Sequence, residues 1–124
     1  KIGILGLNPH NDENRVKSEE NKIILPAIKA LKKRGLKIFG PISPDTAFID
    51  FKKNKFNILI GMYHDQVLTP FKSIFKFDAI NITTGLPFLR ISPDHGIGKE
   101  IILKNKANPK SLINSINFFK KINA

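Results

Sequence analysis

Three histidines, His10, His64 and His95, are the only imidazoles in the 124-residue chain. Each stands in a polar, loop-like stretch. A neutral imidazole is the commonest protein ligand for zinc and related divalent cations. The spacings, 54 and 31 residues, match no local metal motif. Taken singly, each histidine reads more readily as a hydrogen-bonded loop residue than as a ligand, so a cation needs a fold that brings distant loops together. A second set is Lys72, Asn81 and Arg90. A phosphate is held well by a point charge, a neutral donor and a planar fork, which these three supply. Arg90 is one of three arginines, whereas Lys72 is one of 18 lysines and Asn81 could equally end a strand or make a turn.

Other chemistries lack their residues. Gly3-Ile4-Leu5-Gly6-Leu7-Asn8 has no third glycine and no helix start in the right place, which excludes a dinucleotide fingerprint of the usual form. There is no Walker loop, no Gly-x-Ser-x-Gly elbow and no His-Glu-x-x-His. With no cysteine, disulfides and thiolate metal sites are excluded. No side chain is singled out as the catalytic acid, base or nucleophile.

These residues need a scaffold. Short apolar runs alternate with amphipathic stretches, the pattern of an α/β layer structure. Strands are predicted over residues 2–7, 36–39, 57–62, 79–83 and 88–91. A helix capped by Ser18 carries Glu19 and Glu20 in its first turn and ends at Gly35. Its inner face is predicted to hold Ile23, Ile24, Ala27, Ile28 and Leu31, with a bend at Pro26. Further helices are predicted over 66–75, 98–104 and 109–122, the last with Ile113, Ile116 and Phe119 along one face. His10, His64 and the 81–90 segment then fall at or just after strand C-termini, where ligands bind in open α/β sheets.

Composition narrows the class. A chain of 124 residues with 41% hydrophobic and 25% charged residues can bury one real core. The net charge of +11 comes mostly from dispersed lysines, which reads as a solvated basic surface. Nucleic-acid sites gather arginine and aromatics on one face, so neither a nucleic acid nor a membrane is expected as partner. A basic nucleic-acid-binding module remains the alternative from another class.

Five ordered blocks carry a resemblance: Gly6-Leu7-Asn8-Pro9-His10; Gly40-Pro41 with Pro44-Asp45-Thr46-Ala47-Phe48; Met62-Tyr63-His64-Asp65-Gln66; the segment from Asn81 to Arg90; and Asp94-His95-Gly96. In this order they resemble the C-terminal portion of the 4-hydroxythreonine-4-phosphate dehydrogenase (PdxA) family. The resemblance implies an α/β/α layered sheet of the isocitrate/isopropylmalate dehydrogenase-like type. Residues 1–124 would form a single C-terminal α/β segment of a longer two-domain enzyme. The helix at 109–124 would pack on the missing part, and the fragment would be inactive alone.

The resemblance also implies an activity: NAD-dependent, divalent-metal-dependent oxidation and decarboxylation of 4-phosphooxy-L-threonine to 3-amino-2-oxopropyl phosphate, in pyridoxal 5'-phosphate (vitamin B6) biosynthesis. The enzyme would be a cytoplasmic homodimer with the active site shared between subunits. His10 and His64 would be two of three ligands to zinc, magnesium or cobalt, with His64 facing His10 of the partner. Lys72, Asn81 and Arg90 would bind the substrate through its phosphate. Asp45 and Asp65 would orient the metal histidines. His95 and Gly96 would lie near the cofactor, although Ile97-Gly98-Lys99 departs from the family's usual continuation there. The alternative within the fold is a related dehydrogenase acting on another phosphorylated hydroxy acid.

Overall fold

A continuous apolar run with one small residue, Ile2-Gly3-Ile4-Leu5, makes the central strand. In the computed structural model, which describes residues 1–11, 15–49, 53, 56–96, 98–102, 104 and 106–122, strand β1 (Ile2–Leu5) lies between β2 (Ile38–Ile42) and β3 (Ile58–Ile60). Both neighbours run parallel to it, with Ile2 opposite Ile38 on one side and Ile58 on the other. A strand flanked on both sides in a parallel sheet is covered on both faces and so carries no polar alternation. Pro41 sits within β2, an edge strand of this sheet, where a missing N–H is tolerated.

The chain divides into two compact units, Lys1–Phe71 and Lys72–Ala124. The first holds the parallel sheet. Its helix begins with a π-helical stretch, Glu20–Ile24, and continues as α1, Leu25–Lys33. The Ser18 hydroxyl accepts the Asn21 N–H at 3.2 Å, as expected of a cap. Pro26 cannot donate to a carbonyl one turn back. The helix meets this with a wider register, in which Leu25 N–H donates to Glu20 C=O, rather than with a simple break. The apolar face is correspondingly narrower than predicted. Ile24 and Ile28 are buried with Ile4 and Ile38, and Leu31 packs against them. Ile23 and Ala27, expected on that face, are exposed. Burying Ile28 contributes about 2–3 kcal/mol. Gly35, at φ 85°, ends the helix in the left-handed conformation expected of a C′ residue.

A one-turn helix α2 (Pro44–Ala47) follows β2, and α3 (His64–Phe75) follows β3. Helix α3 begins two residues earlier than predicted, which makes His64 its first residue.

In the second unit, β4 (Ile80–Thr83) and β5 (Arg90–Pro93) form an antiparallel ribbon. The fifth strand therefore lies two residues later than predicted. Helix α4 (Lys110–Ile122) packs on both strands. Its start is set by Asn108, whose side-chain oxygen accepts the Lys110 N–H at 2.9 Å. The buried residues of α4 are Ser111 and Ser115. Ile113, Ile116 and Phe119, predicted to line one face together, are each about half exposed, at 50%, 48% and 50%. The small serines let the helix approach the ribbon closely, and these three larger side chains stay half exposed. The helix predicted over 98–104 is one three-ten turn, Lys99–Ile101, among the described residues.

Candidate functional site

The loop after β1 carries His10. Its conformation is fixed by Glu20, whose Oε1 accepts the N–H of Leu7 at 2.9 Å and of Asn8 at 2.8 Å. Glu20 is fully buried. The Asn8 N–H holds its carboxyl below the usual range, assisted by its own N–H, the Leu7 N–H and the Ser18 hydroxyl, and opposed by burial. Asn8 Oδ1 in turn accepts the His10 N–H at 2.9 Å. Asn11, at φ 57°, ties the loop to the next one through Nδ2, which donates to Pro41 C=O and Ser43 Oγ. Gly6 is required here, because a Cβ would lie 1.9 Å from Asn11 Oδ1.

The turn after β3 leads into α3, whose first residue is His64. Since β1 and β3 are adjacent and parallel, the two histidine loops leave the same edge of the sheet, at strand C-terminal ends, within one chain. Asp45, from α2, puts Oδ2 3.2 Å from His10 Nε2. Asp65 puts Oδ1 2.7 Å from His64 Nδ1. In each case a carboxylate engages one ring nitrogen and leaves the other, His10 Nδ1 or His64 Nε2, for a further partner. Both imidazoles are exposed. The carboxylates set the orientation of each imidazole. This donor chemistry fits a divalent metal. Among the described residues no three metal-ligating side chains come together.

Lys72, Asn81 and Arg90 all belong to the second unit. In the ribbon, Thr83 stands opposite Arg90 and Asn81 opposite Ser92. Alternate residues share a face, so Asn81 and Arg90 lie on the same side. Arg90 Nη1 donates to Thr83 Oγ1 at 2.9 Å and is otherwise exposed. The loop between the strands shapes a shallow concavity lined by residues 82–89. Lys72 Nζ lies 3.1 Å from Asp94 Oδ1. Asp94 is itself anchored: its N–H donates to the buried Ser111 Oγ at 2.7 Å, and that hydroxyl donates to Ala79 C=O.

His95 and Gly96 lie in an exposed stretch of chain, where His95 Nδ1 is 3.0 Å from Gly96 C=O. The space around Gly96 is open. Ile97, part of the departure from the family pattern, lies outside the described residues.

Three residues important to this geometry were not singled out as site residues from sequence: Glu20, Gln66 and Asp94. Glu20 read as a helix-dipole residue, and Asp94 as part of the cofactor block. Gln66 carried no signal beyond its place beside His64-Asp65.

The family model described as "Pyridoxal phosphate biosynthetic protein PdxA" matches residues 1–119. The chain belongs to the PdxA family. It is 52% identical over 117 residues to a 4-hydroxythreonine-4-phosphate dehydrogenase of Sulfurihydrogenibium sp., covering 94% of this chain and 36% of that protein. It is 40% identical, with the same coverage of each, to a D-threonate 4-phosphate dehydrogenase of Pectobacterium atrosepticum. The crystal structure of 4-hydroxythreonine-4-phosphate dehydrogenase from Klebsiella pneumoniae superimposes with a TM-score of 0.76 at 39% identity, over 95% of this chain and 36% of that one. The chain thus spans about a third of the length of the PdxA relatives it matches. No helix among the described residues is long and apolar enough to cross a membrane.

Proposed function

We infer that this chain is the C-terminal portion of an NAD-dependent, divalent-metal-dependent dehydrogenase of the isocitrate/isopropylmalate dehydrogenase-like fold. The enzyme oxidises and decarboxylates 4-phosphooxy-L-threonine to 3-amino-2-oxopropyl phosphate in vitamin B6 biosynthesis. It works in the cytoplasm as a homodimer. The observation that carries this reading is the pair of carboxylate-engaged histidines, His10 with Asp45 and His64 with Asp65, in a chain whose relatives are named for such substrates.

His10 and His64 hold the cation as two ligands. In the homodimer the active site is shared between subunits, with His64 facing His10 of the partner subunit. When bound, the cation supplies Lewis acidity that eases loss of the substrate hydroxyl proton. Asp45 and Asp65 each engage one ring nitrogen, leave the other turned toward the cation, and fix the plane of the ring. Arg90 grips phosphate oxygens with its fork, Asn81 adds a neutral donor, and Lys72 adds a point charge held by Asp94. These groups hold the substrate by its phosphate and leave the chemistry to the other end. His95 and Gly96 lie near the NAD cofactor in this reading.

A second reading is favoured by the relative named D-threonate 4-phosphate dehydrogenase. Both named substrates carry a 4-phosphate, so the phosphate-binding residues serve either. Steady-state NADH formation by the protein at its full natural length tests the assignment. 4-Phosphooxy-L-threonine is expected to be oxidised with the highest kcat/KM and its unphosphorylated analogue at least 100-fold less efficiently. Equal rates with and without the phosphate overturn the roles of Lys72, Asn81 and Arg90. A preference for D-threonate 4-phosphate selects the second reading.

A further inference from the structure

We propose that Gln66 is a positioning residue that couples the two histidine loops and thereby sets where His10 and His64 each stand as cation donors. The inference rests on the proposed role of those histidines and goes beyond it.

Gln66 lies two residues after His64, in the first turn of α3, and is buried. Its amide spans two loops. Oε1 accepts the Met62 N–H at 2.7 Å, two residues before His64. Nε2 donates to the Gly6 C=O at 2.7 Å, 60 residues away in the chain and four before His10. Both bonds are to backbone, so they fix the paths of the chain rather than one rotamer of a neighbour. Gly61 makes room for this amide, since a Cβ there would lie 3.1 Å from Oε1 and 2.6 Å from Val67 Cγ1.

From Gly6 the connection runs on to His10. The next two N–H groups are held by Glu20, and Asn8 Oδ1 receives the His10 N–H. A short series of hydrogen bonds therefore links the Met62 backbone to the His10 backbone. An amide is the side chain suited to this work, because it must accept at one end and donate at the other. A carboxylate would face the Gly6 carbonyl with like partial charge, and an apolar group would leave a buried N–H and a buried C=O unpaired.

The test uses Co²⁺ titration of the protein at its full natural length, read by visible absorption, on Gln66→Met and Gln66→Glu. Urea unfolding without metal is run beside it. Each folded variant is expected to bind Co²⁺ about tenfold more weakly, the low end of what displaced supporting groups cost, with an altered ligand-field spectrum. Wild-type affinity and spectrum, with only stability lost, overturn the proposal, because a merely structural glutamine would behave that way. If neither variant folds, the wild type decides: the Gln66 side-chain amide resonances should shift on Zn²⁺ addition together with the His10 and His64 rings. An unmoved amide overturns the proposal. His10→Ala and His64→Ala separate the two levels of inference. If they abolish Co²⁺ binding while the Gln66 variants do not, only the role of Gln66 fails. If the wild type binds no Co²⁺, or both histidine variants bind it unchanged, the metal reading fails and this proposal falls with it.

Discussion

The two units hold their polar residues in different ways. In the first, exposed histidines stand on loops pinned from beneath by buried polar groups: Glu20 under the β1 loop, and Gln66 between that loop and the next. In the second, Asn81 and Arg90 stand on an exposed two-stranded ribbon, and Lys72 is steered by one ion pair. The difference fits the role proposed for each group. A cation tolerates little error in ligand position, so its donors need a stiff support. A phosphate is a large anion that several flexible cations can share, so charge and a fork suffice.

Breaking the buried support should therefore cost most. Glu20→Ala leaves the Leu7 and Asn8 N–H groups without their acceptor and is expected to destabilise the chain by about 3 kcal/mol, measured by urea unfolding. The effect should depend on pH with a defined sign. The Glu20 carboxyl is held below its ordinary 4.5 in the fold. Its contribution is thus fully present above that pH and is lost as pH falls through the lowered value. The stability gap between wild type and Glu20→Ala should narrow in acid. A constant gap from pH 7 to pH 3 would contradict the role given to this carboxylate.

The second unit should answer through binding rather than stability. Asp94→Asn keeps the N–H that donates to Ser111 but weakens the hold on Lys72. KM for the phosphorylated substrate is expected to rise about fivefold with kcat nearly unchanged, the scale of a partly exposed ion pair worth about 1 kcal/mol. A large loss of kcat would place Asp94 in the chemistry instead. The smallest effect is expected on the outer face of α4. Ile113→Ser should change the unfolding free energy of this chain by less than about 0.5 kcal/mol, because the residue is half exposed. A loss of 2 kcal/mol would show that this face packs on something within the chain.

These contrasts also mark what could be read from sequence. The order of the strands, the Ser18 cap, the Gly35 stop and the polar segments bearing His10 and His64 were legible, because each depends on a few consecutive residues. The family resemblance also brought Asp45 and Asp65 into the reading. The supporting roles of Glu20 and Gln66 were not legible. Glu20 holds backbone groups 12 and 13 residues away, and Gln66 reaches one 60 residues away; any residue type can present a backbone N–H or C=O. The α1 face was over-read at Ile23 and Ala27 because a regular helical period does not allow for the wider register before Pro26. On α4, apolar spacing identified a stripe but not its side. The ribbon selected the small serines.

The most direct test of the central claim, that His10 and His64 are metal ligands placed at one sheet edge, is calorimetry of Zn²⁺ binding to the protein at its full natural length, beside His10→Ala and His64→Ala. The expected result is binding that each single substitution weakens at least tenfold, and that the double substitution abolishes without unfolding the protein. Zn²⁺ binding of equal affinity and stoichiometry in wild type and in the folded double variant would contradict it.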